Sequence, residues 1–251
     1  PDPDGLARIA ASLGNGLHVA AARRLTGGGS MPVHLIELEG ASSKRSVVLK
    51  RFPSDVSARH EWDALRYAER AGVPTPEPLH YDDGTWFEGP AFLMSMLPGE
   101  STMAPDDLGK WCEALAATLS EIHGTKGALP PTMQRQGIWH TWQPDAHLLG
   151  ARTDDVAAAI GALRSIDWES GFCHCDFHPG NVLFQDGAVS GVVDWASGKR
   201  SPFLNDVGRL RCAAAIRPGG AAPDLIADAY ACISGRILDG LAYWDVLAGA
   251  V

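Results

Sequence analysis

The sequence predicts an α+β fold in which a small antiparallel sheet with one main helix precedes a larger, mostly helical part. Short apolar runs separated by glycine-bearing turns fill the first part of the chain, and apolar residues recur at helical spacing after residue 98. The 251 residues, 45% of them hydrophobic and 20% charged, are enough for a packed core. Leu97-Pro98-Gly99 breaks the pattern, so we expect an N-terminal lobe over 1–97 and a C-terminal lobe over 98–251.

The N-terminal lobe is expected to pack one helix on its sheet. Strands are predicted over residues 17–25, 31–39, 46–52 and 90–97. Residues 54–71 have a helical pattern that stops at Gly72, and three prolines between positions 74 and 78 follow. These prolines should force an extended segment after the helix.

The C-terminal lobe is expected to consist mainly of helices. Apolar residues recur at helical spacing from Leu108 to Ile122, behind an acidic start at Pro105-Asp106-Asp107 that suits a helix N-terminus. Two more helices are predicted over residues 154–166 and 224–238, and no internal repeat is visible.

Charge and cysteine content argue against several classes of protein. Lysine and arginine total 21 against 30 acidic residues, a net charge of −9, whereas a nucleic-acid binder needs an excess of cations. The five cysteines are odd in number and lack paired CxxC spacing, which fits a reducing cytoplasm. No apolar run is long enough to span a bilayer, and the start lacks the pattern of a signal peptide. We expect neither nucleic acid nor membrane as a partner, and the oligomeric state stays open.

Residues 174–195 carry the candidate chemistry. Two apolar runs, 182–184 and 188–193, are joined by Asp186-Gly187, a strong hairpin signal. A two-residue turn there pairs positions whose numbers sum to 373. Asn181 should therefore lie opposite Val192 and within about one pleat step of Asp194.

The side chains at the mouth of this hairpin suit phosphoryl transfer. The oxygens of Asn181 and Asp194 are hard ligands that favour magnesium (Mg²⁺). Asp176, on a loop broken by Pro179 and Gly180, can face the same point and accept a proton from a hydroxyl. The pattern H-x-D-x-x-x-x-N, then a hairpin and an Asp, matches the phosphoryl-transfer template.

Structural interpretations of these residues stay open. The two aspartates and the asparagine could be turn and cap residues. His174 and His178 are better explained as groups that brace the backbone, with His178 alternatively at the rim of the site. A zinc site among residues 173–178 is disfavoured because adjacent residues do not easily converge on one tetrahedral ion, and Cys173 and Cys175 fit small buried side chains.

The first lobe offers an independent pair of charges. Lys50 lies among apolar residues of a predicted strand, and Glu61 lies on an otherwise apolar stripe of the following helix. Each charge needs a partner, so we expect them to pair and the lysine to meet nucleotide phosphates. The alternative is an exposed lysine at a strand edge and a solvated glutamate.

Two further segments are weaker candidates for nucleotide binding. Gly28, Gly29 and Ser30 could let backbone N–H groups approach phosphates, although glycines between two strands more often form merely a flexible turn. Backbone groups of Ser95 and Met96 could bond a purine, or these residues could simply belong to a buried strand.

Over roughly residues 20–210 the chain resembles the aminoglycoside phosphotransferase and choline kinase-like family, whose members share a two-lobed protein-kinase-like fold. The most specific matches are residues 174–183 and 192–195, supported by Lys50, Glu61 and a later acidic residue, Asp206. The resemblance implies that Asp176 is the catalytic base and that Lys50 contacts nucleotide phosphates. It also implies that the magnesium ligands are Asn181 and Asp194, and that Asp206 supports the catalytic loop.

Three departures from the family pattern leave the acceptor open. Cys175 stands where the family usually has glycine, Ala196 stands where an acidic residue is common, and the part after Asp206 is short. We therefore expect an enzyme that moves the γ-phosphoryl group of ATP or GTP to a hydroxyl of a small molecule, an aminoglycoside-type antibiotic being one candidate. A kinase for a sugar or amino alcohol, or a catalytically silent nucleotide-binding scaffold, are the alternatives.

Overall fold

The computed structural model describes residues 2–25, 31–134 and 152–250. Its first part contains a five-stranded antiparallel sheet in the order β1-β2-β3-β5-β4. The strands are β1 (His18–Arg24), β2 (Val33–Glu39), β3 (Lys44–Arg51), β4 (Pro78–Asp82) and β5 (Ala91–Ser95). Four of them confirm the predicted strands, and β4 occupies the segment that we expected only to be extended.

Helix α2 (Asp55–Arg70) confirms the predicted helix of the N-terminal lobe. It begins at Ser54, whose side chain accepts a hydrogen bond from the N–H of Ser57. The buried stripe of α2 contains Ala58, Glu61 and Leu65, so the helix turns a carboxylate toward the interior together with its apolar residues. Lys50 lies on β3, the strand that precedes this helix.

Helix α1 (Pro3–Leu13) lies before the sheet and was not predicted. Asp2 caps it by accepting a hydrogen bond from the N–H of Gly5, and a proline occupies its first turn. Ile9 and Ala10 are buried in a cluster with core residues of the sheet.

The second part of the molecule is mostly helical. Its helices are α3 (Leu108–His123), α4 (Thr153–Ser165), α5 (Phe203–Ile216), α6 (Ala222–Ser234) and α7 (Leu241–Ala248). The predicted helices correspond to α3, α4 and α6, although α6 begins before the expected residue 224 and ends before 238. Helices α5 and α7 were missed. They approach closely at Gly208, where a Cβ would lie 2.9 Å from the Trp244 backbone.

The predicted hairpin forms from β7 (Val182–Gln185) and β8 (Ala188–Val192), with a correction to its register. Near the turn the residue numbers of paired positions sum to 373, as predicted. Beyond a bulge between Leu183 and Phe184 the numbers of paired positions sum to 374. Val192 therefore pairs with Val182, and Asn181 instead accepts a hydrogen bond from the N–H of Val193 at 2.9 Å. The bulge brings Asn181 one residue nearer to Asp194 than predicted.

A second sheet, of two strands, lies at the start of the loop that carries Asp176. Strand β6 (Ser170–Cys173) pairs antiparallel with β9 (Lys199–Pro202), and neither strand was predicted. The loop that carries Asp176 follows β6 directly, so the end of this strand fixes where the loop starts.

The connection from β5 to α3 pairs with the hairpin. Glu100 and Phe184 exchange two backbone hydrogen bonds, of 3.0 and 2.9 Å. One core cluster also contains Trp62 of α2, Leu115 of α3 and Trp195 after the hairpin. The sheet-rich and helical parts therefore share buried contacts, and the lobe boundary after residue 97 stays a prediction. Among the described residues, no helix is long and apolar enough to cross a bilayer.

Candidate active site

A cleft of about 1380 Å³ lies between the sheet and the helical part. The side chains that line it include five residues singled out from the sequence: Lys50, Glu61, Asp176, Asn181 and Asp194. These residues come from β3, α2, the loop after β6, the position just before β7 and the segment just after β8. Folding therefore brings the two independent sequence signals into one site.

Lys50 is the centre of a buried ion network. Its side chain is 7% exposed, and its ammonium donates to Glu61 Oε1 at 2.7 Å and to Asp194 Oδ1 at 2.8 Å. Burial opposes the charge on Lys50, but the two carboxylates outweigh burial and raise the pKa of the ammonium above its ordinary value. Lys50 therefore stays protonated and holds Glu61 and Asp194 in place.

The two carboxylates differ in their protonation. Burial raises the pKa of Glu61 to about 7, against the opposing effect of Lys50, and Glu61 Oε2 is buried without a hydrogen-bond partner among the described residues. Burial also opposes the charge of Asp194, yet Lys50 holds the pKa of this carboxyl below its usual value. Asp194 is thus the anion of the pair near neutral pH, while Glu61 titrates there.

Asp194 is held in an unusual backbone conformation. Its φ of 64° lies in the left-handed region, which L-residues other than asparagine and aspartate rarely adopt. Trp195, which follows, is 1% exposed, and its indole N–H donates to Thr75 Oγ1 at 2.7 Å. Burial of Trp195 anchors the chain just after Asp194, and the sharp turn directs the carboxylate into the cleft.

Asp206 supports the loop that contains Asp176. Asp206 is fully buried on α5, and its carboxylate accepts hydrogen bonds from the N–H of His174 at 2.8 Å and of Cys175 at 2.7 Å. His123 Nε2 lies 3.3 Å from the same carboxylate. The contacts are those expected of the supporting role that the family resemblance implies.

His174 braces the backbone, as its sequence context favoured. Its Nδ1 accepts the N–H of Asp176 at 3.3 Å, so the proton is on Nε2, which donates to the carbonyl of Val193 at 3.0 Å. Burial lowers the pKa of this imidazole, which keeps it neutral. His174 thus links the loop to the end of the hairpin, next to Asp194.

Asp176 is the most accessible of the charged residues in the site. Its side chain is 42% exposed, with Arg209 Nη1 3.7 Å from Oδ1 and His178 Nε2 3.9 Å from Oδ2. The side-chain amide of Asn181 donates to the Asp176 backbone carbonyl at 3.0 Å. Asp176 is therefore placed to meet a molecule that enters the cleft, and its backbone is tied to Asn181.

The oxygen donors fit a hard divalent cation. Asn181 uses its amide nitrogen on the Asp176 carbonyl, which leaves the amide oxygen as its ligand atom. The Asp194 side chain is 35% exposed and ionised, and the hydrogen bond from Val193 to Asn181 holds the two residues side by side. One amide oxygen and one carboxylate form a set that Mg²⁺ accepts when water and phosphate oxygens supply the other ligands.

Of the weaker candidates for nucleotide binding, the structure describes only Ser95 and Met96. Gly28, Gly29 and Ser30 lie outside the described residues. Ser95 and Met96 both line the cleft, but the N–H of Ser95 donates to the Glu77 carbonyl at 2.9 Å, so that donor is not free for a purine. Met96 is 44% exposed and remains the candidate.

Arg209 was not singled out from the sequence although it lies beside Asp176. It follows Asp206 by three residues on α5, so both residues lie on the same side of the helix. The three-residue spacing between Asp206 and Arg209 is visible in the sequence. It places them on one side of a helix only if a helix is predicted there, and α5 was not predicted.

The chain matches known phosphotransferases over most of its length. Residues 22–246 match the model of the phosphotransferase enzyme family, APH. A homoserine kinase of Rhodospirillum rubrum is 27% identical over 146 residues, which cover 52% of this chain and 45% of that protein. The chain spans about half the length of the curated relatives it matches.

Solved structures show the same fold. Macrolide 2'-phosphotransferase MphH from Brachybacterium faecium superposes with a TM-score of 0.68 at 19% identity, covering 97% of this chain and 88% of that one. Amicoumacin kinase hAmiN, whose structure contains AMP-PNP, Ca²⁺ and Ami, superposes with a TM-score of 0.65 at 17% identity, covering 90% of this chain and 78% of that one. These likenesses confirm the predicted protein-kinase-like α+β fold.

Proposed function

This chain belongs to the phosphotransferase enzyme family, and on that premise we propose that it transfers the γ-phosphoryl group of ATP to a hydroxyl of a small molecule. The observation that carries the proposal is the meeting of the Lys50 ion network with Asp176 and Asn181 in one cleft. Phosphoryl transfer needs positioning and neutralisation of charge more than covalent chemistry, and this arrangement supplies both.

Lys50 has the role of binding the nucleotide. Its ammonium is protonated and held on the cleft wall by Glu61, which fixes the direction in which it can meet phosphate oxygens. A lysine without such support would lose side-chain freedom on binding, and the affinity would fall accordingly. Glu61 is therefore a positioning residue for Lys50.

Asp176 has the role of catalytic base. Its exposed carboxylate accepts the hydrogen bond of the acceptor hydroxyl, orients the oxygen toward the phosphoryl group and receives the proton as the new P–O bond forms. The hydrogen bonds of Asp206 and His174 keep the loop in place during this step.

Asn181 and Asp194 would hold a divalent cation, Mg²⁺ by the hardness of their oxygens, and the bound ion would neutralise charge on the nucleotide phosphates. ATP is the favoured donor because hAmiN, a protein of the same fold, binds an ATP analogue, and GTP is the alternative. The five cysteines are free thiols, which supports a reducing, cytoplasmic setting.

The acceptor is a small molecule with a hydroxyl group. Relatives of the chain act on different acceptors: one is a homoserine kinase and another is a macrolide phosphotransferase. An antibiotic acceptor and a metabolite acceptor are both compatible with the family. The alternative of a catalytically silent scaffold would bind the nucleotide without transfer.

Calorimetry and a transfer assay test the proposal. We expect ATP to bind wild-type protein in the presence of Mg²⁺, Asp194→Ala to abolish the magnesium-dependent part, and Asp176→Asn to retain binding while transfer falls by about 10²-fold or more. Asp83→Asn, an exposed aspartate outside the cleft, is the matched control. Binding without transfer to any acceptor would support the scaffold, and no binding of ATP or GTP would contradict the proposal.

A further inference from the structure

Arg209 forms a long ion pair with Asp176 and donates no hydrogen bond to any acceptor among the described residues. Its Nη1 lies 3.7 Å from Asp176 Oδ1, longer than a hydrogen bond, and its side chain is 27% exposed. Its Nε is buried and has no hydrogen-bond partner in the part of the chain that the structure describes. The buried Nε is out of reach of a ligand, but Nη1 extends to the exposed carboxylate of Asp176, so the end of the guanidinium can contact a molecule that meets Asp176.

Arg211, two residues later on α5, has a structural role and serves as a comparison for Arg209. It bonds both oxygens of Asp245 at 3.2 and 3.3 Å and the carbonyl of Pro223 at 2.6 Å. Its side chain is 16% exposed. Arg211 connects α5 to its neighbours and has its donors satisfied, whereas Arg209 does not.

Two of the three acidic side chains in the described lining of the cleft are already paired with Lys50. In the described lining, Glu61 and Asp194 pair with Lys50, and Asp176 faces Arg209. Ala196 also lines the cleft and offers no charge. Apart from Asp176, which the proposed function assigns to the acceptor hydroxyl, the described lining has no carboxylate left for an ammonium group, despite the net charge of −9.

The cations of the cleft are less fully paired. Besides Lys50, the lining contains Arg24 and Lys199. Lys199 lies on β9 and makes no ion pair with any residue between 2 and 25, 31 and 134, or 152 and 250. Positive charge on the wall of the cleft attracts anionic groups and repels an amine.

We propose that Arg209 binds an anionic group of the acceptor, so that the enzyme phosphorylates a short hydroxy acid in preference to a polyamine. The inference rests on the proposed function and narrows its substrate class. The acceptor's hydroxyl meets Asp176 while its carboxylate takes the planar donors of Arg209. Because Arg209 lies 3.7 Å from Asp176, the two groups of the acceptor are separated by a short carbon chain.

Matched acceptors test this assignment. The probes are hydroxy acids of increasing chain length, each paired with its primary amide and its amino alcohol, and transfer from ATP is followed by phosphorus NMR. For wild type we expect a higher kcat/KM for the acid than for the amide of the best length. A sugar phosphate series distinguishes a phosphate from a carboxylate as the preferred anion.

Three variants test whether Arg209 causes the preference for the acid over the amide. Arg209→Gln should lower the acid-to-amide ratio of kcat/KM about 10- to 100-fold, the loss typical of a charge-assisted hydrogen bond. The ratio is the readout because any effect of Arg209 on Asp176 acts on both acceptors equally. Arg209→Lys should restore part of the ratio. Arg200→Gln, an exposed arginine of β9, should leave the ratio as in wild type.

The outcomes separate this inference from the proposed function. Equal use of acid and amide, or a preference for the amino alcohol, would overturn the inference while transfer itself supports the phosphotransferase. An acid preference that survives in Arg209→Gln would also overturn the assignment. Transfer to no acceptor in any series would overturn the inference alone, since the proposed function is contradicted only if neither ATP nor GTP binds.

Discussion

The ammonium of Lys50 lies 2.8 Å from the carboxylate of Asp194, although 144 residues separate them in the chain. The contact connects the sheet of the first part with the hairpin of the second, and Glu61 completes it from α2 at 2.7 Å from the same ammonium. Burial raises the pKa of Glu61 to about 7 against the opposing effect of Lys50, and the negative charge of Asp194 adds a smaller effect in the same direction.

Glu61 should make stability fall as the pH rises. Burial raises its pKa in the folded protein to about 7 from the ordinary 4.5, so within this window the folded protein binds more protons than the unfolded chain. The stability that protonated Glu61 contributes is present in full below pH 4.5 and is lost as the pH passes 7. The difference in unfolding free energy between wild type and Glu61→Gln should fall by roughly 3 kcal/mol across the window.

Urea unfolding of the metal-free proteins at several pH values between about 4.5 and 8 measures this difference. Glu113→Gln, which replaces an exposed glutamate of α3, is the control and should follow the wild-type profile. Parallel profiles for wild type and Glu61→Gln would show that the burial argument for Glu61 is wrong.

Removal of the Asp206 carboxylate should destabilise the protein and slow transfer. Asp206→Ala leaves the buried N–H groups of His174 and Cys175 without an acceptor, at a cost of roughly 1–3 kcal/mol for each group. Asp206→Asn keeps one acceptor oxygen and should lose less. Because the loop that carries Asp176 is loosened, kcat should fall more than the affinity for ATP.

Chemical denaturation and transfer kinetics check the two effects separately. Asp228→Ala, an exposed aspartate on α6, serves as the control and should stay within about 0.5 kcal/mol of wild type. If Asp206→Ala were as stable as Asp228→Ala, the supporting role of Asp206 would be disproved.

Glycine should be tolerated at position 175 better than alanine. Cys175 has a φ of 61°, in the left-handed region where a Cβ is unfavourable, and its side chain is buried. Cys175→Gly should be more stable than Cys175→Ala by about 1 kcal/mol. Cys173 lies in strand β6 with an ordinary backbone, so there the order should be reversed.

Thermal or urea unfolding of the four cysteine variants measures both differences. The comparison within each position cancels the loss of the buried sulfur. An advantage of alanine over glycine at position 175 would contradict the strain argument.

Gly99 should be far less tolerant of substitution than Gly16. Both have positive φ, 94° and 80°, but a Cβ at position 99 would overlap the carbonyl of Phe184, whereas one at position 16 meets nothing within 4 Å. Gly16→Ala should therefore cost about 1 kcal/mol from strain alone, and Gly99→Ala more than 2 kcal/mol. Urea unfolding of both variants is the measurement, and equal losses would refute the steric argument.

Much of the candidate site was readable from local sequence. Lys50 among apolar residues, Glu61 on an apolar stripe and the hairpin signal at Asp186-Gly187 each follow from the period of a strand, a helix or a turn. Asp176, Asn181 and Asp194 lie close together in the sequence, so they form a motif that can be recognised locally. The family resemblance of this motif then implied a role for each residue.

Other parts of the fold gave weaker local signals. Helix α5 is buried on several sides and also carries buried polar residues, so its apolar periodicity is obscured. The register of the hairpin depended on a bulge at Leu183 and Phe184, which the turn alone does not specify.

The sequence by itself determined the fold class, most of the sheet and the residue types of the site, because periodicity and turn chemistry act over a few neighbouring residues. Tertiary structure decided that Lys50 meets Asp194 and that Arg209 faces Asp176, contacts across 144 and 33 residues. Such contacts depend on how packed elements place side chains within a few ångströms, and this placement is set by the whole core rather than by any local pattern.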